Sequence, residues 1–226
     1  MKKRRYIIPL LVVVMVVFAT VIAQNHVFQF YETNFGIEKE YYSMDEVVPF
    51  GADLVQTGST AEGYSLRVDK AEVLTGDEFL ERVGQTEETV SSLLGSSTQY
   101  EAQYESMRMC FLTVTLYNDN SDADGVDIAD FTLAGENYDV YMDRGYTVLA
   151  NDFLLNANKD DLSGETGSLG RTGIYLAPGK EAEIHIVYCF SRADISARRW
   201  NRLAEEPLWL QITYSPVEKN IILEME

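Results

Sequence analysis

Arg198, Arg199 and Arg202, with Trp200 among them, form the group of side chains best suited to recognising something outside the chain. A guanidinium presents planar, permanently charged donors that match a carboxylate or phosphate, and a neighbouring tryptophan adds apolar contact area. Two readings stand side by side: the cluster engages an acidic partner or headgroup, or it pairs with the chain's own carboxylates. A second group, Asn120, Asp122, Asp124 and Gly125, follows the first half of a calcium loop, with side-chain oxygens at alternate positions and glycine at the bend. The position that should bring a bidentate glutamate is Phe131, so the other reading is a solvated acidic turn.

Cys110 and Cys189 lie 79 positions apart, each in a segment of strand character. A disulfide closing such a loop would stabilise by roughly 4 kcal/mol through loop-closure entropy. Parity argues the other way, because Cys110 shares a face with Leu112 and Val114 while the alternation around Cys189 points it to the opposite face. Two buried thiols acting as small apolar groups are the alternative. His26 and His185 have no companion at metal-ligand spacing, so zinc has no visible site and no cofactor is expected. Serine-nucleophile and phosphate-loop motifs are missing, and the acidic pairs Asp160-Asp161 and Glu205-Glu206 read as loop charge.

Those residues need a scaffold, and the chain announces where it sits before how it folds. Lys2, Lys3, Arg4 and Arg5 precede Tyr6 to Ala23, an uncharged run of 18 residues rich in Val, Ile and Leu. As a helix it would be roughly 27 Å long, close to the thickness of a bilayer's hydrocarbon core. The flanking cations place the N-terminus inside the cell and the rest outside. An uncleaved anchor is one reading of this run, and a secretion signal cut after Val21-Ile22-Ala23 is the other. The divisions expected are a basic tail at 1–5, the membrane segment at 6–23, a juxtamembrane stalk at 24–42 and one extracellular domain at 43–226.

Charge narrows the partners. Asp and Glu number 36 against 18 Lys and Arg, for a net charge of −18, and four of those cations lie in the first five residues. The 14 that remain leave an external surface that repels nucleic acid and anionic lipid.

Within the domain, Met109 to Asn118 alternates so that Cys110, Leu112, Val114 and Leu116 share one face, which predicts a central strand. Gly63 to Leu74 is a second strand with a bulge near Asp69-Lys70, where the phase changes. Thr75 with Glu78 forms a capping box that opens a short helix ending at Val83, expected to cross the end of the domain. Further strands are expected at Glu40 to Pro49, Val126 to Leu133, Tyr138 to Met142 and Tyr146 to Leu149. Gly173 to Leu176 and Glu181 to Phe190 read as a hairpin about Ala177-Pro178-Gly179-Lys180. Ser191 to Leu203 looks helical, and Leu208 to Tyr214 and Val217 to Met225 close the chain as strands. Seven to nine strands with one or two short helices make an all-β sandwich.

Several of these stretches together resemble a known family. They are Leu116-Tyr117-Asn118, Asp130-Phe131-Thr132-Leu133 with Tyr138, Leu176-Ala177-Pro178-Gly179-Lys180, and Glu183 to Phe190. The chain from about Phe50 onward is similar to the membrane- or lipid-anchored immunoglobulin-like domains of unknown function of Gram-positive bacteria, grouped with telokin-like folds. Glu62 to Val68 with Asp77-Glu78-Phe79-Leu80 resembles a narrower branch of clostridial relatives. The resemblance implies an immunoglobulin-like sandwich and brings no catalytic residue with it. The expected function is a non-enzymatic binding or accessory module at the membrane, acting through a protein or envelope partner. A cell-envelope hydrolase and a calcium-responsive structural domain are the alternatives.

Overall fold

The computed structural model of the chain describes residues 37–56, 59–86, 88, 90, 107–119, 125–136, 138–151, 166–169, 172–192 and 195–226. In chain order the strands begin with β1 (Glu38–Tyr42), β2 (Val48–Pro49), β3 (Leu54–Gln56), β4 (Ser59–Thr60) and β5 (Tyr64–Thr75), followed by helix α1 (Gly76–Val83). Next come β6 (Met107–Asn118), β7 (Val126–Asp127), β8 (Thr132–Gly135), β9 (Tyr138–Tyr141) and α2 (Arg144–Leu149). The remainder is β10 (Thr166–Leu169), β11 (Gly173–Leu176), β12 (Glu181–Ser191), α3 (Ala197–Trp200), β13 (Leu208–Gln211) and β14 (Val217–Leu223).

Two sheets face each other, one ordered β1-β14-β13-β8-β9 and the other β12-β6-β5-β2. Leu133, Leu208, Leu210, Ile221 and Leu223 from the first meet Cys110, Leu112, Val114, Ile184 and Ile186 from the second in one buried core. Each such side chain, fully buried, contributes on the order of 1.5–3 kcal/mol of transfer free energy. The result is a β-sandwich built from the period-two alternation of its strands. Its sides are stitched by single bridges, Met142 to Tyr188 and Ala71 to Met225.

The strand expected to be central is so: β6 lies between β5 and β12, antiparallel to both. The expected bulge is also present, since Val68 faces Val114 but Lys70 faces Thr113, leaving Asp69 extra. That residue shifts the phase, so Leu66 and Val68 point inward before it and Ala71 after it. Thr75 caps α1 as expected, its hydroxyl accepting from the Glu78 N–H at 3.2 Å while Glu78 Oε2 accepts from the Thr75 N–H at 2.7 Å.

Other expectations change. Helix α1 lies on the outer face of the β12-β6-β5-β2 sheet rather than across its end. There Phe79 and Leu80 join Tyr146 and Leu149 of α2 over Met109, Phe111 and Val187 as a second core. The stretch Tyr146 to Leu149 is helix and not strand, because the Asp143 carboxylate accepts from the Gly145 and Tyr146 N–H groups and starts a turn there. Ala177 to Lys180 does turn, with Gly179 at φ 74°, but β11 and β12 are not a hairpin. β11 pairs with β10 and β7, whereas β12 crosses over to pair with β6 along its whole length. Val126 to Leu133 is broken by a 3-10 turn at Ile128–Asp130. Fourteen strands and three α-helices stand among the described residues, more than the seven to nine and the one or two expected. Glu38–Tyr42, assigned to the stalk, is instead a strand of the first sheet. Among the described residues no helix is long and apolar enough to cross a membrane, and Tyr6 to Ala23 lies outside them.

Candidate functional site

Helix α3 is a single turn, opened by the Ser196 hydroxyl, which accepts from the Arg199 N–H at 3.4 Å. Trp200 packs from it onto the sandwich core, with the Arg108 guanidinium over its ring at 5.9 Å. This anchoring turns Arg198 and Arg199, with Arg202 just beyond, into a polar cleft of about 440 Å³ that Glu136, Glu205 and Glu206 also line. Trp200 is therefore the pin of the site and not part of its wall.

The three arginines are differently occupied. Arg202 gives Nε to Glu205 Oε2 at 2.7 Å and brings a second nitrogen to the same oxygen, so its charge is met. The Arg199 guanidinium lies over the Tyr138 ring, its Cζ 5.2 Å from the centroid, and its Nε stands 3.7 Å from Glu206, beyond hydrogen-bond length. Arg198 is exposed and has no ion pair among the described residues. The platform beneath Arg199 depends on Gly135, where a Cβ would lie 2.8 Å from the Tyr138 ring. Burial pushes the Tyr138 phenol up, Glu206 adds to this and Arg199 opposes it.

The remaining candidates lie elsewhere. Cys110 is Cα partner to Tyr188 and Cys189 to Met109, so the thiols sit on neighbouring strands but point to opposite sides of the sheet. Cys110 is in the sandwich core and Cys189 packs against the outer cluster, and both are free. No disulfide joins them, because the sheet itself stands between the two sulfurs. Asn120, Asp122 and Asp124 lie outside the described residues, as do His26 and Asp160-Asp161.

His185 does not reach the cleft. Its ring lies tilted by 30° against Phe111 with the centroids 5.0 Å apart, with Thr113 Oγ1 at 3.5 Å and Glu183 Oε1 at 3.8 Å, all neighbours on the outer face of β6 and β12. Burial holds its pKa below the ordinary histidine value against the pull of Glu183. Trp209 is half-buried on the outer face of β13, since Leu208 and Leu210 take the inner one.

Sequence reasoning found the arginines and missed what frames them. Glu136 and Tyr138 belong to the β8–β9 hairpin, and they come beside Glu206 because Leu208 pairs with Gly135. The signal was the closeness of Gly135 to Tyr138, a small residue where an aromatic ring must lie down.

A comparison with curated proteins gives no match. Among solved structures the chain is similar to a functionally unknown protein from Listeria monocytogenes EGD-e, at 15% identity with a TM-score of 0.38, over 66% of either chain. That alignment spans a little under two thirds of the Listeria protein's length. It is also similar to an uncharacterized β-sandwich protein from Clostridium difficile 630, at 7% identity with a TM-score of 0.37, over 82% of this chain and 95% of that one. Residues 39–219 match the family described as Domain of unknown function (DUF5028), and with most of its sequence inside that match the chain belongs to this family.

Proposed function

We propose that this protein is a non-enzymatic binding module of the cell envelope, held at the membrane by Tyr6 to Ala23 with its immunoglobulin-like sandwich outside. In this reading the cleft at α3 receives a carboxylate of a protein or envelope partner. The observation that carries it is the state of Arg198 and Arg199. Carboxylates outnumber cations 36 to 18 along the chain, yet Arg198 has no ion pair among the described residues and Arg199 meets Glu206 only at 3.7 Å. Guanidinium donors left unspent beside each other in one cleft offer the planar fork a carboxylate fits.

The test is crosslinking of the tagged full-length chain on intact cells, followed by pull-down. The parent is compared with a variant carrying Arg198→Ala and Arg199→Ala, and with Arg202→Ala alone. A partner retained by Arg202→Ala and lost from the double variant supports the reading. The same set of partners in all three, with unchanged thermal unfolding, would remove the cleft from the function.

A further inference from the structure

The cleft at α3 carries as many acids as bases. Arg198, Arg199 and Arg202 stand with Glu136, Glu205 and Glu206 around it, so its formal charge is zero on a chain of net charge −18. These charges are not used evenly. Arg202 and Glu205 hold each other through Arg202 Nε at 2.7 Å, and Arg199 faces Glu206 at 3.7 Å. What is left is one cation and one anion, Arg198 on α3 and Glu136 at the turn between β8 and β9. Both are exposed, and neither has an ion pair among the described residues.

Separate elements hold the two. Trp200 pins α3 against the core, while the β8–β9 turn is fixed by the pairing of Gly135 with Tyr138 and with Leu208. Opposite charges therefore line one space without forming an ion pair with each other.

Charge and lining select the occupant. A simple anion such as phosphate meets three glutamates beside the arginines and a chain that repels it at long range, and a simple cation meets three arginines. A ligand that carries both signs serves Arg198 and Glu136 together and, neutral overall, is not repelled by the chain. No apolar residue lines the cleft, so a ligand recognised through an apolar group finds no seat there. Ser196, also in the lining, accepts from the Arg199 N–H at 3.4 Å, and its hydroxyl can still donate a proton to a carbonyl. The volume, about 440 Å³, is that of a small-molecule site. An ammonium, a carboxylate and a carbonyl between them are the groups of a short peptide with free ends.

We propose that the cleft takes a small zwitterion of this kind, a short peptide with both ends free, its carboxylate on Arg198 and Arg199 and its ammonium on Glu136. This rests on the carboxylate-binding role of the cleft and adds the second charge to it.

Glycine, diglycine and triglycine, which carry the two charges at increasing separation, are titrated calorimetrically into the full-length chain in non-ionic detergent micelles. Saturable binding of at least one of them is expected. Acetylating the amine of that ligand, or amidating its carboxylate, should each weaken binding about fivefold. Glu136→Gln should weaken the free ligand by the same factor and should bind the N-acetyl form no less tightly than the parent chain does. Equal binding of the free and N-acetyl forms, with both lost in Arg198→Ala, would overturn the contact at Glu136 and leave the carboxylate-binding role standing. Glu136→Gln binding the free ligand as the parent does would overturn that contact too. No saturable binding of any of the three at millimolar concentration would overturn the zwitterion itself, whatever partner crosslinking on intact cells captures.

Discussion

Lys219 Nζ lies 2.7 Å from Asp53 Oδ2, and the same ammonium donates to Pro49 O at 2.8 Å and Phe50 O at 3.0 Å. A lysine of β14 thus spends all its donors on the end of β2 and the loop that follows it, with its side chain 9% exposed. A buried pair of this kind is worth little against a hydrophobic substitute, but breaking one side leaves an uncompensated charge. Lys219→Met should therefore lower stability by about 3 kcal/mol. The double variant with Asp53→Leu should recover part of that loss, as read from urea midpoints. A single variant as stable as the parent would show that Asp53 finds water without cost.

The α1 cap carries a pH signature. The Thr75 backbone N–H, donating to the Glu78 carboxylate, holds that group below the usual carboxylate range, and the Thr75 side chain adds to this. A depressed folded value means the contribution is fully present above the unfolded value of about 4.3 and lost as pH falls through the folded one. Glu78→Gln keeps an acceptor but removes the charge, so it should be less stable than the parent at pH near 7 and equal to it at pH near 3. Thr75→Ala should cost about 1 kcal/mol. Denaturant unfolding at the two pH values checks both, and a gap that persists in acid would refute the charge argument.

What was legible in the sequence was local. The alternation of Cys110, Leu112, Val114 and Leu116, the phase change at Asp69 and the Thr75–Glu78 cap each involve neighbours along the chain, and the structure keeps them all. Pro178-Gly179 fixes that the chain reverses but not which sheet the next strand joins, and β12 pairs with β6 across a much longer ladder. Tyr146, Val148 and Leu149 satisfy a strand or a helix equally over so short a run, and the Asp143 cap decided it. The cleft was half legible for the same reason. Its arginines are sequence neighbours, whereas Glu136 arrives through the pairing of β8 with β13.

Both thiols should be silent in the folded protein. Burial pushes the Cys110 thiol up, and burial together with Asp143 raises that of Cys189, so neither offers a thiolate near neutral pH. Iodoacetamide at pH near 8 should label neither in the native chain and both after unfolding in urea. Mass spectrometry without reductant reads the count. A species that resists labelling after unfolding until it is reduced would mean that the sulfurs do meet, against the opposed faces of β6 and β12.

The last prediction joins stability to the cleft. Gly135 lies where β8 turns into β9, and the Tyr138 ring rests against it so closely that a Cβ would stand 2.8 Å from the ring. The ring also meets Phe190 edge-on at 6.4 Å on one side and carries Arg199 on the other. Gly135→Ala must push the phenol out of this position, which overpacks the site and should cost about 1–3 kcal/mol. Because Arg199 is placed by that ring, the same substitution should also weaken whatever partner the Arg198 and Arg199 variants lose. Tyr138→Phe separates the two effects, since it keeps the ring and removes only the hydroxyl, and it should bind as the parent does. Urea unfolding and the crosslinking comparison read the two consequences. Gly135→Ala with parental stability would show that the ring moves aside freely, and then Tyr138 does not position Arg199.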